Sequence, residues 1–327
     1  MTINLEVGSN PAPSPRRRGK RAATSTDRLF RLLTTSAAWL VLIVLVAAAG
    51  SMAWGGRLAF QTFGWNFIIS GDWDAVGHRF GALVPIYGTL VSSALAMLIA
   101  VPTSVGIAVF LSEVAPGWLR GPVGIAIELL AAIPSIIYGM WGLFVFAPFM
   151  ATYVEPWLND HVGPLPILGP LFSGPPIGIG MLTAGIILGI MTIPFISSVM
   201  RDVFQAVPSA LRESAFALGA TPWEVVRKVT IPYTRSAVIG AVFLGLGRAL
   251  GETMAVTFVM GNAHDFSRSL LMPGNSIAAA IANEFTEADS PIYLSSLIAL
   301  GFLLFVVTFI VLTVAKLMLA RVERMAR

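Results

Sequence analysis

Residues 208–232 read PSALRESAFALGATPWEVVRKVTIP. Pro208 can open a helix, because the N–H it lacks is not needed at the first helical position. Leu211, Ala215 and Leu218 follow at i, i+4 and i+7, one apolar stripe of a helix. Gly219 suits a left-handed C-terminal cap. Thr221-Pro222-Trp223-Glu224 then starts a second helix on three counts, since Thr221 can cap, Pro222 fits the first turn and Glu224 completes a capping box. That helix is expected to run to about Val229 and to stop before Pro232. The stretch therefore predicts helix, glycine turn, helix, in a connector of about 35 residues, too ordered for a passive loop. An amphipathic element of this kind either rests on lipid headgroups or docks a soluble partner.

On both sides of this stretch the chain turns apolar. Of its 327 residues 56% are hydrophobic and 12% charged, half the share of about 25% in soluble domains. The mean hydropathy is +0.81. Six stretches reach the length of about 20 residues that crossing a bilayer needs. Their cores are 34–54, 83–111, 123–149, 177–200, 237–260 and 294–315. The first carries no charge from Thr34 to Trp54 and is longer than the apolar region of a signal peptide, about 7–15 residues, so it is expected to be retained. Pro85, Pro102, Pro134 and Pro194 fall inside spans, where each removes a backbone donor and bends its helix. The fold class is an all-α integral membrane protein with six transmembrane helices.

Basic residues orient it. With both termini in the cytoplasm, the inner side holds Arg16, Arg17, Arg18, Lys20, Arg21, Arg28 and Arg31 before the first span and Arg120 after the second. It also holds Arg201, Arg212, Arg227, Lys228 and Arg235 between the fourth and fifth spans, and Lys316, Arg321, Arg324 and Arg327 at the end. Only Arg57, Arg79 and Arg268 fall outside. Residues 1–28, rich in Pro, Ser and Arg, are expected to be a disordered basic tail that orients the first helix, not a nucleic-acid-binding arm. Residues 29–327 form the membrane domain, with the cytoplasmic loop at 201–235. The outer connections are 150–176, rich in Pro and Gly, and 261–293, in which Asn275 to Phe285 could form a short surface helix.

Three charges are expected at membrane depth: Glu128, Arg248 and Glu252. Such residues normally face a bundle interior or a watery path. Arg248 and Glu252 stand at i, i+4 and can pair on one helix face, either as a self-neutralising structural pair or as part of a path in which Arg248 meets an anion. Glu128 could simply reach the interface. Trp54, Trp141 and Trp157 near span ends read as interfacial anchors. His78, His161 and His264 are isolated in sequence and expected to be solvated loop residues. The absence of cysteine excludes a disulfide framework, a thiolate zinc site and a cysteine nucleophile. An ATP-cradling G-x-x-x-x-G-K-[ST] motif is also absent: of Lys20, Lys228 and Lys316 only Lys20 follows a glycine, and Arg21 stands where Ser or Thr is needed. No metal site or cofactor is expected in this chain.

Glu213-Ser214-Ala215, then Gly219, then Val229-Thr230-Ile231-Pro232 resembles the "EAA" loop of ABC-importer permeases, E-A-A, three residues, G, nine residues, I-x-L-P. The spacing matches; Ser214, Val229 and Ile231 depart conservatively from the consensus. Ile133-Pro134-Ser135-Ile136-Ile137-Tyr138-Gly139 and Gly247-Arg248-Ala249-Leu250-Gly251-Glu252-Thr253-Met254-Ala255-Val256 resemble phosphate permeases, closer to the PstC-type than to the PstA-type subunit. The likeness covers the chain from about residue 80 onward. It implies a type I ABC-importer permease bundle in a bacterial cytoplasmic membrane, without enzymatic activity of its own, that moves inorganic phosphate. It implies a second permease of PstA type, a PstB-type ATPase pair that carries ATP and Mg, and an extracytoplasmic PstS-type phosphate-binding protein. By the same resemblance, Glu213, Ser214, Ala215, Gly219 and Ala220 belong to the ATPase-coupling site, and Arg248, Glu252 and Thr253 to the translocation path. Another oxyanion such as sulfate or molybdate is the alternative substrate, and an ion-coupled secondary carrier the alternative class.

Overall fold

A computed structural model describes residues 25–325, with side chains described from Thr26 to Met318. The basic run from Arg16 to Arg21 and Arg327 lie outside the described residues, as do the side chains of Arg321 and Arg324. Six helices are long and apolar enough to cross a membrane: Thr26–Gly55, Leu83–Val114, Ser135–His161, Met181–Gln205, Pro222–Leu250 and Pro291–Met318, here spans one to six. The helix of span six continues to Met325.

The chain divides into two compact units at Ala48 and Ala49. In the first, residues 26–47 are one helix whose side chains are exposed all round, apolar on every face in its central part, as a lipid-facing segment would be. In the second, span four is the centre. Of its apolar stretch 61% is buried, against 28% for span two and 22% for spans three, five and six. Spans two and four approach closely because Gly185 faces Leu95 and Gly189 faces Ala96. Ile187, Leu188, Met191 and Val259 fill the core beside them. Thr89, Ser92 and Ser93 are buried in span two, and each hydroxyl donates to the carbonyl four residues back, so none is left unpaired in the core. A second cluster, around Phe67, Phe80, Ile277, Leu297 and Leu300, joins the segment after span one to span six. It includes a small antiparallel hairpin, Trp73–Asp74 against Arg79–Phe80.

Two expected spans come out differently. The stretch 123–149 is two helices: Gly117–Ala131 ends before Pro134, and span three begins at Ser135 and runs on to His161. The stretch 237–260 is also broken. Span five starts at Pro222 and ends at Leu250, and a separate helix, Met254–Val259, follows after Gly251, Glu252 and Thr253. Pro85 is therefore a first-turn residue of span two and Pro134 lies between helices, so only Pro102 and Pro194 sit inside helices as expected.

Proline failed as a stop signal for a physical reason. Among the described residues, the π segments are Phe110–Val114, Gly142–Phe146, Met150–Val154 and Val226–Thr230. Each precedes a proline at the same offset: Pro116, Pro148, Pro156 and Pro232. A proline ring strikes the carbonyl four residues earlier and offers no N–H. A π turn closes on the fifth residue and is wider, so it moves that carbonyl aside. The helices of spans three and five therefore run through Pro148, Pro156 and Pro232, and the expected end before Pro232 is corrected.

The outer connections change accordingly. Residues 150–161 are helical, not loop. The helix expected within Asn275 to Phe285 is present as Ile277–Glu284, capped by the Ser276 hydroxyl, which accepts from Ala279 N at 3.1 Å. It does not lie on the surface. Ile277, Ala279 and Ala280 are buried, and Ile277 N donates to Thr89 Oγ1 at 3.0 Å. The close fit depends on Gly88, where a Cβ would stand 2.0 Å from the Asn275 carbonyl oxygen.

Candidate functional site

The 208–232 stretch forms the predicted helix, turn and helix. Pro208 precedes the helix Ser209–Ala217. Gly219 has φ +85, in the left-handed region. Ala220 N donates to Ala215 O at 3.1 Å and Gly219 N to Phe216 O at 2.9 Å, the two bonds of a Schellman cap. The capping box is complete: Thr221 Oγ1 accepts from Glu224 N at 3.4 Å, and Glu224 Oε2 accepts from Thr221 N at 3.0 Å. No side chain of Ser209–Ala217 is buried. Glu213 and Ser214 are exposed, Ala215 half-buried, and the expected apolar stripe ends in an almost fully exposed Leu218. The helix presents its residues outward and packs little of itself inward.

One side chain, Arg212, anchors it by two polar contacts, which sequence reasoning missed. Arg212 pairs with Glu113 at 3.3 Å, the guanidinium side chain 20% and the carboxylate 8% exposed. Arg212 Nη2 also donates to the Phe204 carbonyl in the last turn of span four. The buried Thr230 donates its hydroxyl to Glu113 Oε1 at 3.3 Å. Span two, the start of span five and the 209–217 helix therefore meet at the Glu113 carboxylate, and Arg212 ties span four to them through the Phe204 carbonyl. The only sequence signal was a Glu at a span end and an Arg in the loop, about 100 residues apart, with no spacing rule to join them.

Among the expected path residues, Arg248 occupies the last turn of span five, half-buried. Its guanidinium lies 5.6 Å from the Phe195 ring centroid, and its Nε is buried without a hydrogen-bond partner. The expected pairing with Glu252 is not formed. Span five ends at Leu250, so the two residues do not share a helix, and Glu252 instead accepts from Ala255 N at 3.4 Å at the start of the next helix. Thr253 precedes that helix and accepts at its carbonyl from the Thr257 hydroxyl at 2.8 Å. The break gathers the two motif segments: a Cβ on Gly139 would stand 3.0 Å from Ala255 Cα and 3.1 Å from Met254 O. A helix interrupted at this point leaves backbone groups and one arginine able to meet an anion.

Other charges were placed incorrectly. Glu128 lies in the Gly117–Ala131 helix, ahead of span three, and ion-pairs with Arg201 of span four; Arg201 also pairs with Asp202 at 3.0 Å. Gly124 makes room, since a Cβ there would stand 2.3 Å from Arg201 Nη1. Glu155, expected in an outer loop, is a fully buried residue of span three whose Oε2 accepts from Gly178 N at 2.8 Å. Trp54, Trp141 and Trp157 are exposed.

His264 is not a solvated loop residue. Its ring stacks on Trp73 with centroids 5.2 Å apart, and its Nε2 lies 2.8 Å from Glu284 Oε1. Glu284 Oε2 accepts from Trp73 Nε1 and from the Tyr293 hydroxyl, each at 2.7 Å. Burial alone would raise the Glu284 pKa, but the bonds from His264, Tyr293 and Trp73 outweigh it and hold it below the ordinary value. His78 is an exposed loop residue, as expected; His161 is exposed too, but it ends the helix of span three and stacks on Trp157 instead of lying in a loop.

Residues 100–324 match a family described as "Binding-protein-dependent transport system inner membrane component". The chain is 62% identical over 298 residues to the "Phosphate transport system permease protein PstC" of Xylella fastidiosa, across 91% of this chain and 92% of that one. It is 56% identical to the protein of the same name from Mesorhizobium japonicum, across 91% of each. The Haemophilus influenzae protein of that name is 52% identical, across 92% of this chain and 95% of that one. Among solved structures, a chain of a bacterial alginate ABC transporter superposes with a TM-score of 0.57 at 18% identity, over 90% of this chain and 94% of that one. At that identity the likeness shows the fold, that of a type I ABC-importer permease.

Proposed function

The chain belongs to the binding-protein-dependent transport permeases, and within them to the PstC-type phosphate permeases, and from that membership we infer that it is a membrane-spanning subunit of an ABC importer for inorganic phosphate. The observation that carries the reading is the 62% identity to a PstC protein across 91% of the chain. The family match at 100–324 takes in the 208–232 loop and both segments at the helix break.

The rest follows as a working scheme. The subunit crosses a bacterial cytoplasmic membrane with both ends inside, as the basic residues favour. Hydrolysis of ATP, with its Mg, takes place on a separate PstB-type ATPase pair. Glu213, Ser214, Ala215, Gly219 and Ala220 form the face that docks it, a role supported by a helix that buries none of its own side chains. A PstA-type permease completes the path, and a PstS-type protein delivers phosphate on the other side. Arg248 meets the anion in transit. Its buried, unpartnered Nε and its freedom from Glu252 support that role. A guanidinium fork suits phosphate oxygens, and an arginine held only by an aromatic face can let the anion leave. Glu252 and Thr253 hold the break open beside it.

The test is radiolabelled phosphate uptake in a strain lacking this chain and other phosphate carriers. Restored uptake on return of the wild-type chain, lost with Arg248→Gln at matched membrane level, supports the reading. Uptake that survives deletion of the chain refutes phosphate as the substrate, and sulfate and molybdate uptake in the same strain then identify the oxyanion.

A further inference from the structure

We propose that the Arg212–Glu113 ion pair is the link through which movement of the 209–217 helix reaches the membrane spans, which makes Arg212 a positioning residue for the transport cycle. The proposal rests on the reading of 208–232 as the ATPase-docking loop.

A helix that is pushed or pulled transmits force only through what holds it. No side chain of the 209–217 helix is fully buried, and Leu211 and Phe216 stay 43% and 45% exposed, so hydrophobic packing binds it to the bundle only weakly. Its two covalent connections are turns, one at 206–208 and one at Gly219 with φ +85, and turns pivot more readily than helices bend. Arg212 crosses the gap that these pivots leave. It holds Glu113 at 3.3 Å in the last turn of span two and the Phe204 carbonyl in the last turn of span four. Glu113 in turn accepts from Thr230, two residues before the Pro232 that opens the regular part of span five. The pair is largely shielded from water, at 20% and 8% exposure, so it is not a screened surface contact. Losing one partner of such a pair strands the other charge, which makes the link stiff and its failure measurable. Glu113 itself sits in a π segment, Phe110–Val114, a wider turn of the kind often found at functional sites.

The experiment uses the complete transporter in vesicles, with phosphate uptake and ATP hydrolysis measured in parallel. The variants are Arg212→Gln, Glu113→Gln, the two combined, and the exchange Arg212→Glu with Glu113→Arg. The link predicts that the ATPase still co-purifies and hydrolyses ATP in each. Phosphate moved per ATP falls at least about tenfold in each single variant, the combined variant falls no further, and the exchange regains part of the loss. An unchanged ratio overturns the proposal, as does loss of the ATPase from the complex, which would make Arg212 a docking residue. If the single variants do not reach the membrane, Thr230→Val decides. It removes only the hydroxyl on Glu113, and the ratio should fall about threefold; no change refutes the link. Wild-type vesicles are run with phosphate and with sulfate. A wrong substrate then shows in the wild type, whereas a failed link shows as variants that match wild type for whichever anion moves.

Discussion

The Arg248 guanidinium lies over the ring of Phe195, 5.6 Å from its centroid, while Glu252, four residues on, turns away to accept from Ala255 N. The helix end at Leu250 separates them, so the positive charge of Arg248 is not neutralised within its own element. Arg248→Gln should cut phosphate uptake at least about tenfold at unchanged protein level, since a charge-assisted hydrogen bond contributes about 1.5–3 kcal/mol. Arg248→Lys should recover part of it, because charge is kept and the fork is lost. Glu252→Gln should leave protein level unchanged, as its amide oxygen can still accept from Ala255 N. Uptake by Arg248→Gln within a factor of two of wild type, measured with radiolabelled phosphate, would remove Arg248 from the path.

Gly219 faces open space, with nothing within 4 Å of an added Cβ, and yet has φ +85. Its requirement is therefore one of conformation and not of room. Gly219→Ala should loosen the cap by about 1–2 kcal/mol, Gly219→Asn by less, and Gly219→Pro should abolish it, because proline fixes φ near −65°. Hydrogen exchange of the amides at 215–221 reads the order directly. Equal effects of Ala, Asn and Pro would mean that the side chain itself meets something, namely a docked partner.

Much of this was legible in the sequence, and what was not had local causes. The cap at Gly219 and the box at Thr221 and Glu224 were readable because each is set by residues within four positions. Six crossings were readable from apolar length, but two had wrong ends. Pro232 looks like a stop, and a π turn ahead of it absorbs the ring; another π turn, ahead of Pro156, carries span three past its expected end at 149. Gly251 looked like an ordinary span residue, and the helix break there separated Arg248 from its expected partner. The anchors Glu113–Arg212, Glu128–Arg201 and His264–Glu284 join residues distant in sequence, for which no periodicity exists.

Gly88 and Gly106 lie on one helix and should respond oppositely to substitution. A Cβ on Gly88 would stand 2.0 Å from the Asn275 carbonyl, whereas one on Gly106 meets nothing within 4 Å. Gly88→Ala should force the 261–276 segment off span two and lower stability by about 1–3 kcal/mol. Gly106→Ala should be neutral or stabilise by up to about 1 kcal/mol, through helix propensity. Thermal unfolding of the purified protein in detergent compares them. Equal melting temperatures would show that the segment at Asn275 gives way freely.

Glu284 supplies a pH dependence whose sign is fixed. Burial pushes its pKa up, but the bonds from His264, Tyr293 and Trp73 pull it further down, so the folded value lies below the ordinary 4.5. A carboxylate depressed by folding contributes stability that is complete above its unfolded value and is lost as pH falls through the folded one. The cluster that ties the Trp73–Asp74 hairpin to the 261–284 connection and to span six should therefore be intact at neutral pH and loosen only below about 4.5. Asp72, Asp74, Arg79 and Asp265 line the adjoining cleft and are the same in both proteins compared, so the informative quantity is a difference. Glu284→Gln should melt lower than wild type at pH 7, and the gap should shrink as pH drops below the carboxylate range. Trp73, which donates to Glu284 at 2.7 Å, offers a local fluorescence report of the same transition. A gap that stays constant down to the acid end would mean that the Glu284 charge does not stabilise the cluster, and that its packing alone holds the hairpin in place.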